Sequence, residues 1–252
     1  MRLRLMLPML LAAGCATAPH GDVLGAKRSL ARELVKRRDW APALALAKDL
    51  HRADPRDPEP LLLRGIIYRE QRLPAESEAD LKEAISLDSG LAAAHDALGV
   101  LYDSAGRAEE AVGEHRRAVE LAPHSPGYLN NLGFALFAHG RAREAIPVLR
   151  EALREAPLDP KLRNNLGFAY AAAGDFAQAD EQFTRAGSPS DAKNNLGWAY
   201  ERRGALKQAY DLYAEALRLE PGATVARQNL ERVARALGRT LPRELEQAPP
   251  RT

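Results

Sequence analysis

The sequence predicts an all-α solenoid built from repeats of two helices, and two observations support this fold class. Gly65, Gly99, Gly133 and Gly167 follow one another at intervals of 34 residues, each followed by a similar pattern of small and apolar residues. A period of this length is typical of arrays of helical hairpins, in which each repeat buries its apolar face against its neighbours. The apolar residues within each repeat also recur at helical spacing. We therefore expect an extended docking surface.

Six repeats can be aligned between residues 24 and 223, and three of them share a nearly complete pattern. The pattern is a leucine and a glycine, a tyrosine or leucine, a second glycine, two alanines and a proline. Its residues are Leu98, Gly99, Tyr102, Gly106, Ala111, Ala118 and Pro123 in the third repeat, Leu132, Gly133, Leu136, Gly140, Ala145, Ala152 and Pro157 in the fourth, and Leu196, Gly197, Tyr200, Gly204, Ala209, Ala216 and Pro221 in the sixth. The pattern resembles that of the tetratricopeptide-repeat family. This resemblance implies a right-handed superhelical solenoid of about six helix-turn-helix repeats.

The remaining repeats depart from the pattern. The first, residues 24–57, matches best at Ala31, Ala43 and Pro55, and the second, residues 58–91, lacks the usual alanine and proline. In the fifth, only 30 residues separate Gly167 from Gly197, and the segment 187–189 is expected to end the second helix early. Residues 224–237 form an amphipathic pattern that predicts a helix capping the end of the solenoid.

The N-terminal residues predict an export signal. Arg2 and Arg4 precede a short apolar run, and the segment 11–15 ends in Cys15. This segment resembles the lipobox of bacterial lipoproteins, although its leucine lies four positions before the cysteine and not three. The resemblance implies cleavage before Cys15 and its lipidation; the alternative is ordinary cleavage after Ala18. The predicted organisation is a signal peptide (1–14), a lipidated Cys15 with a flexible tether (15–27), a solenoid with its capping helix (28–240) and a disordered tail (241–252).

Composition and motifs argue against catalysis and nucleic-acid binding. Loss of Arg2 and Arg4 with the signal lowers the 36 basic residues to 34, equal to the 34 acidic residues, so there is no basic footprint for nucleic acid. The six histidines show no metal-ligand spacing, and no nucleophile or phosphate-loop motif is present. His95 and His115 are expected to pack as neutral side chains. We expect no enzyme activity, cofactor, metal or small-molecule substrate.

Three first helices contain an Asn-Asn-Leu-Gly segment followed by a large aromatic residue. In the tetratricopeptide-repeat family, the first helix of each repeat lines the concave surface, and the residues between the signature positions are free to contact a partner. The resemblance therefore implies a partner-binding groove formed by Asn131, Phe134, Asn165, Phe168, Asn195 and Trp198. Asparagine amides can bond a peptide backbone, and exposed aromatic rings are rigid contact surfaces. The alternative for the asparagines is that the second of each pair is simply the common family residue.

Together, the lipobox, the short tether and about six repeats resemble the pilotins of type IV pilus systems, lipoproteins of the PilF, PilW and Tgl kind. This resemblance implies a protein attached by lipid to the bacterial outer membrane, with its solenoid facing the periplasm. Its partner would be the outer-membrane secretin, whose localisation or multimer assembly it would promote. Two alternatives remain: a tetratricopeptide lipoprotein of tight-adherence pilus systems, and an envelope adaptor that recruits peptidoglycan hydrolases or proteases.

Overall fold

The computed structural model describes residues 22–246, which form fourteen α-helices and no strand. The predicted signal peptide, Cys15 and residues 247–252 lie outside the described residues. The helices are α1 (Val23–Lys36), α2 (Trp40–Ala53), α3 (Glu59–Glu70), α4 (Pro74–Leu87), α5 (Ala92–Ser104), α6 (Ala108–Leu121), α7 (Pro126–Ala138), α8 (Ala142–Glu155), α9 (Pro160–Ala173), α10 (Phe176–Ala186), α11 (Pro189–Arg202), α12 (Leu206–Leu219), α13 (Thr224–Leu237) and α14 (Arg243–Glu246).

The first helices of the repeats lie side by side along one surface of the stack. Each odd-numbered helix from α1 to α11 contacts the next odd-numbered helix, whereas within residues 22–246 no second helix contacts the second helix of the next repeat. In a curved stack, elements on the inside lie closer together than those on the outside. The odd-numbered helices are therefore the inner helices, α2 to α12 are the outer helices, and the predicted concave surface lies on the inner helices.

Close crossing of the two helices in each repeat explains the 34-residue spacing of the glycines. A Cβ atom added at Gly65, Gly133 or Gly167 would come within 2.5 to 2.6 Å of Leu81, Leu149 or Phe183, the side chain sixteen positions later. His115 and Tyr213 occupy the same place beside Gly99 and Gly197. The first repeat has alanine on both helices, Ala31 and Ala47, and both are fully buried. In this repeat the methyl group of Ala31, which the later repeats lack, is accommodated because Ala47 is smaller than the leucine, histidine, phenylalanine or tyrosine of the later repeats.

The turn between the two helices of a repeat needs a residue with positive φ. Gly106, Gly140, Gly174 and Gly204 fill this position with φ between +72° and +96°, a conformation that glycine adopts without a steric penalty. In the first two repeats, Arg38 and Arg72 fill it with φ of 60° each. A positive φ is sterically unfavourable for residues with a Cβ atom, so these two arginines are in a disfavoured backbone conformation.

Two predicted irregularities of the solenoid are confirmed. The second helix of the fifth repeat, α10, has 11 residues, whereas every other outer helix has 14. Ser188 ends this repeat by accepting the backbone N–H of Asp191 at 3.1 Å, which starts α11 early. The predicted capping helix is α13, whose Leu230 and Val233 are buried against α12.

Both ends of the solenoid extend further than predicted. The tether was expected to run to residue 27, but α1 begins at Val23 because the side chain of Asp22 caps it, accepting the N–H of Gly25 at 2.7 Å. The disordered tail was expected from residue 241, and this is wrong for residues 241–246. Leu245 is only 4% exposed and packs on the C-terminal core, and Arg227 donates to its carbonyl oxygen at 2.7 Å. None of the described helices is long and apolar enough to cross a membrane.

Candidate partner-binding groove

The three aromatic residues predicted to line the groove form one continuous row on the inner helices together with Phe137. The rings of Phe168 on α9 and Trp198 on α11 meet edge to face with centroids 5.0 Å apart. Phe137 on α7 stacks against Phe168 at 6.4 Å, and Phe134 contacts Phe137 at 6.2 Å. We call Phe134, Phe137, Phe168 and Trp198 the aromatic row. It joins three successive repeats through side chains that the inner helices place on the same side.

The aromatic row borders an open depression that we call the inner cleft. Its volume is about 400 Å³, and its walls include Phe137, Phe168, Trp198, Arg202 and Arg203. The other residues that line it are small, namely Ala138, Gly140, Ala171, Ala172 and Ala199. Small side chains leave room between the rings, so the cleft can accept an apolar side chain from a partner. Phe134 lies at the end of the row, is 47% exposed and is not part of the cleft wall.

One rim of the inner cleft is positively charged. The guanidinium of Arg202 lies 5.4 Å from the centre of the Trp198 ring, and that of Arg203 lies 5.8 Å from the centre of the Phe176 ring. Neither arginine makes a salt bridge with a residue in the described part of the chain. Both arginines are exposed, so they are available to pair with an acidic group on a partner. The cleft therefore combines aromatic walls with unpaired positive charge.

The predicted asparagines lie on the inner helices but bond to one another across repeats. The side-chain Nδ2 of Asn165 donates to Oδ1 of Asn130 at 2.7 Å, and that of Asn195 donates to Oδ1 of Asn164 at 3.1 Å. Asn229 continues the series by donating to Asn194 at 2.9 Å. The second asparagine of each pair thus holds its helix to the first asparagine of the preceding inner helix. One N–H of each amide remains for a partner, so the predicted contact with a bound backbone stays a prediction.

Asn131 belongs to a different cluster, which we call the histidine bridge. Its Nδ2 lies 3.0 Å from both carboxylate oxygens of Asp96. The imidazole of His115 bonds to Asp96 through Nδ1 at 2.9 Å and to Asp103 through Nε2 at 3.1 Å. Asp103 also accepts a hydrogen bond from Nε2 of His139 at 2.9 Å. These contacts lie near the inner surface and connect the third repeat with the fourth.

The histidine bridge fixes the charge of a fully buried imidazole. Burial alone would lower the pKa of His115, but its hydrogen bonds to Asp103 and Asp96 and their negative charges outweigh burial and raise the pKa to about 9. Burial alone would raise the pKa of Asp103, but the hydrogen bonds from His115 and His139 lower it. The expectation of a neutral packing histidine is therefore wrong for His115. His95 pairs separately with Glu114 at 2.7 Å.

One signal in the sequence could have revealed this cluster. His115 occupies the position sixteen residues after the signature glycine, where the neighbouring repeats have leucine, phenylalanine or tyrosine. A titratable residue at a position reserved for a large apolar side chain needs buried partners. Within residues 22–246, no group of three or more histidine, cysteine, aspartate or glutamate residues is arranged to hold a metal ion.

Comparison with known families matches most of the solenoid to tetratricopeptide repeats. Three models described as "Tetratricopeptide repeat" match residues 28–92 and 62–126, residues 136–198 and residues 192–224. The matches include the inner helices α9 and α11 that border the cleft, whereas most of α7 lies between two matched segments. No curated protein matches the chain in sequence.

Three solved structures share the fold over most of their length. PilW, described as a widely conserved type IV pilus biogenesis factor, is 22% identical with a TM-score of 0.68, covering 84% of this chain and 98% of PilW. PilF of Pseudomonas aeruginosa is 15% identical with a TM-score of 0.65, covering 83% of this chain and 97% of PilF. YrrB, described as a protein with an unusual peptide-binding site, is 21% identical with a TM-score of 0.58, covering 73% of this chain and 97% of YrrB. At these identities the likeness establishes the fold.

Proposed function

Because the chain belongs to the tetratricopeptide-repeat family, we propose that it is a lipid-anchored pilotin that binds the outer-membrane secretin of a type IV pilus. Its role would be to promote localisation of the secretin or assembly of its multimer. The main support is the likeness to PilW and PilF, which extends over 98% and 97% of those chains. The solenoid therefore aligns with two proteins of pilus biogenesis over nearly their whole length.

The inner cleft is the proposed site of capture. An extended secretin segment would lie across α7, α9 and α11 and place an apolar side chain between Phe137, Phe168 and Trp198. Arg202 and Arg203 would pair with an acidic residue of the same segment. Buried aromatic contacts and charge-assisted hydrogen bonds of this kind supply most of the affinity in many interfaces. The free N–H groups of Asn165 and Asn195 would bond the backbone of the segment.

Membrane attachment is proposed to occur through lipid on Cys15. Two or more acyl chains hold a protein firmly to a bilayer, whereas one chain gives marginal binding. The solenoid would then face the periplasm, where the secretin carries its soluble domains. Attachment at the N-terminus leaves the inner cleft, in the fourth to sixth repeats, at the far end of the solenoid from the anchor.

Two other functions use the same surface. A tight-adherence pilus factor would bind a different pilus component, and an envelope adaptor would bind a hydrolase or protease. The peptide-binding description of YrrB favours peptide capture in general and does not distinguish these partners. Genes for a secretin and pilus motors beside this one would favour the pilotin function over both alternatives.

Deletion of the gene tests the proposal directly. We expect fewer secretin multimers in the outer-membrane fraction and more secretin monomer, with both restored by the wild-type gene supplied in trans. The matched control is the gene carrying Leu158→Gln, a change at a residue that is 90% exposed and far from the cleft. Normal secretin multimers in the deletion strain would contradict the pilotin function and favour the alternatives.

A further inference from the structure

The two ends of the solenoid differ in how their apolar surfaces are covered. At the C-terminal end, α13 and Leu245 bury the core, and Leu230, Val233 and Leu245 are at most 4% exposed. At the N-terminal end, no described helix precedes α1. Val23 is 61% exposed and Leu30 is 51% exposed.

Comparison of equivalent positions shows that Leu30 lacks a neighbour that the later repeats have. It aligns with Leu98, Leu132, Leu166 and Leu196, which are between 1% and 6% exposed. Leu132, for example, shares a core cluster with Val112 on the outer helix of the preceding repeat. No repeat precedes α1 in the described chain, so the side chain of Leu30, at the position of the signature leucine, is left exposed.

Three apolar residues of α1 form one stripe. Val23 and Leu30 are exposed and Leu34 is partly buried, and their spacing of seven and four positions places them on the same side of the helix. Lys27 lies on the same side of the helix, between Val23 and Leu30, whereas Lys36 lies on the opposite side in the last turn and Arg38 follows the helix. None of these three basic side chains forms a salt bridge with a described residue. Residues 22–39 contain six basic and three acidic residues, in a chain whose remaining charges nearly balance.

We propose that this N-terminal edge, formed by Val23, Leu30, Leu34 and Lys27, docks onto an anionic phospholipid surface. A helix with a shallow apolar stripe and a basic residue on the same side is suited to the boundary between lipid headgroups and acyl chains. The inference rests on the lipid anchor of the proposed function, because Cys15 is seven residues before Asp22. Seven residues span at most about 25 Å, so a lipid on Cys15 would keep α1 next to the bilayer.

A second copy of the chain fits this edge less well. Stable interfaces bury about 800 Å² on each partner, and a stripe of three aliphatic side chains provides much less. Pairing two copies through α1 would also bring two basic ends together. Anionic lipid headgroups would instead attract the basic residues of α1. This attraction would strengthen the membrane binding provided by acyl chains on Cys15.

The test uses the chain from Ala16 to Thr252, which keeps every described residue and lacks the lipidated cysteine. Its binding to vesicles of phosphatidylethanolamine and phosphatidylglycerol is measured by flotation, beside vesicles of phosphatidylcholine alone. We expect binding to the anionic vesicles that weakens with added salt, and little binding to the neutral ones. Lys27→Gln should weaken binding about fivefold and Leu30→Gln about tenfold, whereas Lys36→Gln, on the opposite side of the helix, should weaken it less.

Leu219→Gln is the matched control, because Leu219 is 52% exposed at the opposite end of the solenoid. It should bind vesicles like the wild type. Absence of binding to anionic vesicles, or equal binding of the Leu30→Gln variant, would overturn the inference. Sedimentation showing a dimer that Leu30→Gln dissociates would assign the edge to a second copy and would overturn it as well. None of these measurements involves a secretin, so their failure would leave the pilotin function standing.

Discussion

Gly133 lies directly beneath the side chain of Leu149, so close that a Cβ atom at Gly133 would come within 2.5 Å of Leu149 Cγ. The same relationship recurs in four other repeats at a separation of sixteen residues. It sets the distance between the inner and outer helix of each repeat. The position of every groove residue on the inner helices depends on this distance.

Gly133→Ala should therefore destabilise the protein by about 1–3 kcal/mol, because Leu149 has to move to make room. The measurement is urea unfolding followed by circular dichroism. Gly113→Ala is the control, because a Cβ atom at Gly113 would contact nothing within 4 Å. This substitution also replaces a glycine inside the helix α6 by alanine. It should stabilise the protein by about 0.5–1 kcal/mol. In the double variant Gly133→Ala, Leu149→Ala, the cost should be smaller than the sum of the two single changes, as the buried pair Ala31 and Ala47 indicates. Additive costs would contradict this packing relationship.

Arg72→Gly should stabilise the protein by about 1 kcal/mol. Arg72 has φ of 60° at a turn position where four later repeats have glycine, and the substitution relieves the steric penalty of the left-handed conformation. The control is Arg56→Gly, at an exposed turn residue whose φ is not positive. A midpoint of thermal unfolding that does not rise for Arg72→Gly would show that the turn is unstrained.

The histidine bridge should make stability depend on pH above neutrality. The folded-state pKa of His115 is about 9, above its ordinary value of 6.5, so its stabilisation is complete below pH 6.5 and is lost as pH rises to about 9. We expect the free energy of unfolding to fall over this range by up to about 3 kcal/mol. Asp103, whose pKa is lowered, should produce the opposite loss at acidic pH.

His115→Leu, which restores the residue type of Leu81 and Leu149, should remove most of the pH dependence between 6.5 and 9. The control is His124→Leu, because the side chain of His124 is 80% exposed and its pairing with Glu155 lies at the surface. An unchanged slope in the His115→Leu variant would mean that the imidazole is neutral in the folded protein. Urea unfolding at pH 6.5, 7.5 and 9 provides the comparison.

Cys15→Ala tests the proposed lipid anchor. We expect the variant to leave the membrane fraction or to accumulate as an unprocessed precursor, since the proposed attachment is lipid on Cys15. Incorporation of labelled palmitate and outer-membrane fractionation are the measurements. Normal labelling and fractionation of the variant would exclude lipidation at this residue.

The all-α solenoid and the aromatic row could be predicted from the sequence because they depend on repetition. The glycines that recur every 34 residues predict the close crossing of two helices in each repeat. The aromatic residue that follows three of the signature glycines predicts that these three rings lie on the same side of equivalent helices. Phe134, Phe168 and Trp198 accordingly lie on neighbouring inner helices. The short α10 was also predictable, since Ser188 and Pro189 supply an N-cap and a first helical residue.

Features that depend on pairs of residues far apart in the sequence were missed. The asparagines bond across repeats, as Asn165 does to Asn130 over 35 residues, and nothing in one repeat indicates that partner. The pKa of His115 depends on Asp96 and Asp103, whose carboxylates reach it only after α5 and α6 pack together. The order of residues 241–246 depends on burial of Leu245 in the core cluster that contains Tyr210.

The most direct test of the central claim is a titration of the purified chain from Ala16 to Thr252 with the periplasmic part of the candidate secretin. Trp198→Ala should weaken binding by about 2 kcal/mol, roughly thirtyfold, and Arg202→Glu should weaken it by at least tenfold with no loss of helicity. Arg150→Glu, at an exposed arginine on the outer helix α8, is the matched control and should bind like the wild type. Equal affinities for the wild type, Trp198→Ala and Arg202→Glu, with all three chains folded, would contradict capture in the inner cleft.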